Sequence, residues 1–191
     1  MNKVKKEFLN PNDLQNITFL DFETTGLKDP MPVSLALIRM ENDKNIYAKY
    51  FLINPEKSID YSAYLVHKIS KEMVEKQPNF VEVWKEIKPY ISGQIVVGHN
   101  VRYDSGVIVN CIRRYGLDCE PYHTICTCDN AKKMIAKEDV PNYKLDTVCD
   151  YFNIKLETHH DARDDTNACR LIFHKLRNLG PLESKLIDNF A

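Results

Sequence analysis

An α/β fold with a mixed sheet flanked by helices is predicted by three features of the 191-residue chain. Strand-length apolar blocks separated by turn residues fill the first third. Helix-period stripes then alternate with a compact strand. The blocks end at glycine or proline. A strand-rich start followed by alternating helices and strands means a mixed sheet that starts antiparallel, with helices packed against it.

Residues 1–15 are polar and lysine-rich with Pro11, and read as a loosely packed leader. Ile17, Phe19 and Leu20 open the first strand, which runs into Asp21, Phe22 and Glu23 and turns at Gly26. Val33, Leu35, Leu37 and Ile38 mark a second strand. A polar turn over residues 42–45 joins it to a third at 46–53, rich in Tyr47, Tyr50 and Phe51. Short helices are expected over 63–67 and after Ser70, which precedes Glu72 in N-cap spacing. Phe80, Val83, Trp84 and Ile87 share one face of a helix over 79–91. Ile95, Val96 and Val97 form a buried strand. A helix from about residue 103 closes at Gly116. A weak strand at 122–125 and helices over 128–136, 145–152 and a last stripe ending at Gly180 complete the pattern.

Composition narrows the class of protein. Hydrophobic residues make up 43% and charged ones 28%, with a net charge of −1, so a nucleic-acid partner would need a local basic patch or a metal-filled acidic site. No apolar run reaches membrane-span length and the start lacks a signal-peptide core, so no membrane association and a cytoplasmic location are expected. Six cysteines without a Cys-x-x-Cys pair argue against structural zinc. Cys126, Cys128 and His123 are the one cluster that tempts such a reading.

The chemistry lies in the acids. Residues two apart on a strand share a face, so Asp21 and Glu23 lean the same way. Two such carboxylates repel unless a cation compensates them, and oxygen-rich clusters hold magnesium or manganese. Asp104 follows a buried strand in the first turn of a helix, where a carboxylate is stabilised by free amides. In His159, His160, Asp161, Ala162, Arg163, Asp164 and Asp165, an aspartate can face the metal from a helix start. A preceding histidine could take a proton there. The chemistry leaves open which histidine and which aspartate do so.

Three stretches, in order and spacing, resemble the exonuclease motifs of the DEDDh family: Asp21-Phe22-Glu23-Thr24-Thr25-Gly26, Val97-Gly98-His99-Asn100-Val101-Arg102-Tyr103-Asp104 and His160-Asp161-Ala162-Arg163-Asp164-Asp165. Val66-His67-Lys68-Ile69 is similar to the family's His-Gly-Ile segment, and Tyr143-Lys144-Leu145-Asp146 to its late helix start. That family includes the proofreading subunit of bacterial replicative polymerases and stand-alone 3′-to-5′ exonucleases. Its register, with a histidine five positions before the metal-binding aspartate, selects His160 and Asp165. His159, Asp161 and Asp164 are left without assigned roles. Departures from the family pattern are Ser34, Ala36, Lys68 and His123, none of them a ligand or the base.

The resemblance implies a ribonuclease H-like fold with a mixed five-stranded sheet, over an exonuclease domain at 16–180 followed by a short tail at 181–191. It implies two divalent cations, magnesium or manganese, held by Asp21, Glu23, Asp104 and Asp165, with His160 as general base. The terminal phosphodiester of a DNA or RNA 3′ end would be hydrolysed to a nucleoside 5′-monophosphate. Thr24, Thr25 and Gly26, with His67 and Ile69, would grip the substrate. Arg102, Lys132, Lys133 and Arg163 are candidate phosphate contacts. Two readings compete with this one: an all-helical His-Asp phosphohydrolase and an inactive binding module on the same fold. A DNA polymerase is a further candidate partner. With so short a tail, a stand-alone or accessory enzyme is expected rather than a polymerase-bound one.

Overall fold

The computed structural model describes residues 6–10 and 14–190. Its seven strands are β1 (Lys6–Leu9), β2 (Asn16–Thr24), β3 (Pro32–Glu41), β4 (Lys44–Leu52), β5 (Ile95–Gly98), β6 (Tyr122–Cys126) and β7 (Leu182–Ile187). They form one sheet in the order β1-β7-β6-β5-β2-β3-β4. β2, β3 and β4 are antiparallel neighbours, and β5 runs parallel to both β2 and β6. The α/β mixed sheet is therefore as expected, and it rules out an all-helical fold.

The strand count differs from the sequence expectation. The expected leader contributes β1 and the expected tail contributes β7, which pair with each other from Lys6 opposite Lys185 to Leu9 opposite Leu182. Residues 1–5 and 11–13 of the leader, Pro11 among them, lie outside the described residues. β7 escapes periodicity analysis because it buries Glu183 and Ser184. Lys6 and Lys133 neutralise that glutamate, and Asn130 bonds its backbone on both sides.

Among the described residues seven α-helices follow from local signals: α1 (Tyr61–His67), α2 (Lys71–Val74), α3 (Phe80–Ile91), α4 (Arg102–Tyr115), α5 (Thr127–Met134), α6 (Leu145–Tyr151) and α7 (Ala162–Arg177). Asn79 and Glu82 form a reciprocal capping box that starts α3, and Gly116, at φ 60°, ends α4. The β3–β4 hairpin turns through Asn42 and Asp43, both at positive φ, the twist-compatible two-residue form.

Alternation along β2 divides the core. Leu20 and Phe22 pack with α3 and α4 on one face, and Ile17 and Phe19 with Ala168, Ile172 and Phe173 of α7 on the other. Asp21 and Glu23 continue the series of Ile17 and Phe19, so the same period that buries the strand aims both acids toward α7. Ile69 and Val74 close a small third cluster over Val33.

Candidate functional site

The acids gather where β2 outruns its neighbour. β5 pairs with β2 only as far as Phe19, because the chain turns after Gly98 to start α4. The freed N–H of Phe22 donates to Asp104 Oδ1 at 3.1 Å, which draws the first turn of α4 onto the end of β2. From the opposite face, α7 delivers Asp165 in its first turn. Ligand oxygens of Asp21, Glu23 and Asp165 all lie within 4.8 Å of one another. Asp104 stands outside that set of three, close enough to Asp21 for its charge to be felt there.

The electrostatics follow from this crowding. Burial, then the charges of Asp104, Asp165 and Glu23, raise Asp21 well above the usual carboxylate range. Burial with Asp165 and Asp104 pushes Glu23 up to about 8. Asp104 is raised by burial, against the Phe22 hydrogen bond, and Asp165 by burial, against the His159 contact. Among the described residues no lysine or arginine pairs with any of the four. A buried acidic cluster without a protein cation fits divalent metal ions bound through hard oxygen ligands.

Two histidines border the cluster. His159 Nδ1 lies 3.2 Å from Asp165 Oδ1, and the His160 N–H donates to Asp165 Oδ2 at 3.1 Å. His160 sits at φ 67°, which turns its amide back toward that carboxylate. The two imidazoles stack with centroids 3.8 Å apart. Burial and the neighbouring His159 lower the pKa of His160. Asp161 has a plain structural duty. It caps α7 through the Arg163 N–H and holds the Arg163 guanidinium over the Tyr50 ring.

The turn after Glu23 is prearranged. Thr24 Oγ1 and Tyr103 Oη are 2.6 Å apart, and both reach the Gly26 carbonyl. Thr25 bonds Met31 twice and accepts from the Asp60 N–H. A side chain at Gly26, φ 146°, would strike Asp60. His67 Nδ1 accepts from the Ile69 N–H, so Nε2 carries the proton and donates to the Thr24 carbonyl at 3.1 Å. Burial also lowers the pKa of this ring. Ile69 is turned into the third cluster at 5% exposure, so it supports the turn from below.

Sequence reasoning assigned no role to Tyr103, and gave His99 none beyond its place in the second motif. His99 bridges Thr127 and the Tyr143 carbonyl, tying β5 to α5 and the loop before α6. An aromatic beside Asp104 and a histidine after Gly98 were the available signals. Cys126 and Cys128 diverge: one sulfur accepts from Asp129 N–H, and the other donates to the Tyr143 carbonyl.

A mixed sheet with carboxylates converging at the end of an inner strand is the layout of the ribonuclease H-like nucleases. The exonuclease family model named for RNase T matches residues 18–173. The chain belongs to that family of 3′-5′ exonucleases of the DnaQ-like type. It is 28% identical over 158 residues to a PolC-type DNA polymerase III of Caldanaerobacter subterraneus subsp. tengcongensis, covering 82% of this chain and 11% of that one. It is 29% identical over 177 residues to the 3′-5′ exonuclease DinG of Bacillus subtilis, covering 86% and 18%. The chain thus spans under a fifth of the length of these curated relatives. In fold it matches exonuclease X solved with 5′-overhanging duplex DNA, at TM-score 0.65 and 22% identity, covering 85% of this chain and 91% of that one.

Proposed function

We propose that the chain is a metal-dependent 3′-to-5′ exonuclease that releases nucleoside 5′-monophosphates from a nucleic-acid 3′ end. The observation that carries this is the convergence of Asp21, Glu23 and Asp165 within 4.8 Å, with no protein cation to balance them among the described residues. Together with Asp104 they would hold two divalent cations, magnesium or manganese. Bound there, such ions acidify water and offset the charge that builds on the phosphate. His160, kept neutral by its lowered pKa, accepts the proton of the attacking water on a ring nitrogen. The hydrogen bond from its own amide to Asp165 keeps base and acid cluster in one register. Thr24, Thr25 and Gly26 receive the terminal nucleotide, and His67 and Ile69 hold that turn in place.

DNA is the substrate supported by the complex of exonuclease X, and the PolC-type relatives support association with a polymerase. Among the described residues no helix is long and apolar enough to cross a membrane, and the six cysteines are free, in keeping with work in the cytoplasm. The test is a 5′-labelled single strand with magnesium or manganese. Wild type shortens it stepwise with release of 5′-monophosphates, and Asp21→Asn loses at least about 10³-fold in rate. Retention of the strand without cleavage by wild type identifies a binding module instead.

A further inference from the structure

Of the four cations that the sequence offers for phosphate contact, three are already engaged. Lys132 pairs with Asp129, Lys133 with Glu183 and Arg163 with Asp161. Arg102 is exposed and forms no ion pair among the described residues. It opens α4 beside Tyr103, whose hydroxyl reaches Thr24 and the Gly26 carbonyl. A groove of about 380 Å³ starts there, walled by Leu27 and Pro30 and floored by Arg102, Gly106 and Asn110.

These three floor residues recur every four positions and so share one helical face. Gly106 is the unexpected member. A glycine inside a helix costs about 1 kcal/mol relative to alanine, and a Cβ at this site would meet nothing within 4 Å. No packing among the described residues therefore asks for glycine. Its missing side chain keeps the floor low between Arg102 and Asn110, and the Asn110 side chain makes no hydrogen bond among the described residues. A guanidinium without a partner, an amide without a partner and a bare stretch of helix suit a sugar–phosphate backbone. They adjoin the turn that would hold the terminal nucleotide.

We propose that this groove binds single-stranded nucleic acid upstream of the 3′-terminal nucleotide, with Arg102 on a phosphate and Gly106 admitting the backbone against α4. This rests on the exonuclease reading of the acid cluster, which sets where the 3′ end lies. Two variants test it: Arg102→Ala removes the charge, and Gly106→Leu fills the groove from a position with open space around it. Anisotropy of a labelled 20-nucleotide strand in EDTA reads binding alone, and kcat/KM for that strand over kcat/KM for a dinucleotide reads upstream contact. Each variant should weaken 20-mer binding about five- to tenfold and lower the ratio by a similar factor, and Arg102→Ala should also flatten the salt dependence by about one ion. Arg102→Lys should restore most of the binding. Unchanged anisotropy and an unchanged ratio in both variants overturn the groove. Wild type that binds the strand through Arg102 yet hydrolyses neither substrate overturns the exonuclease reading and leaves the groove standing. Should Gly106→Leu lower the melting temperature, its result is discarded and Arg102→Ala decides.

Discussion

Neutralising Glu23 should make the metal-free protein more stable, although it removes a residue of the candidate metal site. In the fold burial, then the charges of Asp165 and Asp104, push the Glu23 carboxyl up to about 8, against an ordinary 4.5. Below pH 4.5 the carboxyl is protonated in both folded and unfolded chains and costs nothing. As the pH rises from 4.5 towards 8, the unfolded chain gives up this proton first, so folding is progressively disfavoured. From pH 4.5 to pH 7, at about 1.4 kcal/mol per pH unit, the penalty reaches about 3 kcal/mol. Glu23→Gln keeps the shape and deletes the charge. In EDTA at pH 7 its melting temperature should exceed that of wild type by about 6–12 °C, given about 2–4 °C per kcal/mol for a chain of this size. The gap should close near pH 4.5. With magnesium the order should reverse, because only wild type gains the full stabilisation from bound ions. Paired melts from pH 4.5 to 8, in EDTA and in magnesium, make the measurement. A variant that melts no higher than wild type at pH 7 in EDTA, or a gap that persists at pH 4.5, would refute the account of a buried carboxylate crowded by other acids.

Two further substitutions probe the supports of the site. Gly26→Ala places a Cβ 2.1 Å from Asp60 Oδ2 at a φ of 146°, so a loss of about 1–3 kcal/mol is expected in urea melts, and an unshifted midpoint would show that the turn is not held against Asp60. Asn79→Ala breaks the capping box of α3 and should cost about 1 kcal/mol, recovered by Asn79→Asp; a variant as stable as wild type would mean that the cap contributes nothing.

Much of this arrangement was legible because backbone period and chemistry coincide. Ile17, Phe19, Asp21 and Glu23 share a face for the same reason that Leu20 and Phe22 share the other. The first-turn position of Asp104 follows from the buried strand that ends at Gly98, whereas the polar run before the last helix offers three aspartates, and only the resemblance to the DEDDh register singles out Asp165. What stayed hidden depends on contacts distant in sequence. β1 is an almost wholly exposed strand without apolar alternation, and β7 buries a glutamate that Lys6 and Lys133 neutralise. The pairing that neutralises it cannot be seen from either segment alone. The sequence offers His67 and Ile69 as substrate contacts but does not show their neighbours: both His67 ring nitrogens are engaged within the turn, and Ile69 packs in a small core.

The pairing of β1 with β7 also sets the margin of the sheet apart from its chemistry. Lys6 lies opposite Lys185, so the first and last described strands lie side by side at the margin that starts with β1. The carboxylates lie at the end of β2, with β7, β6 and β5 intervening across the sheet. Substitutions on the open side of β1 therefore reach the edge of the sheet and leave three strands between themselves and the acid cluster.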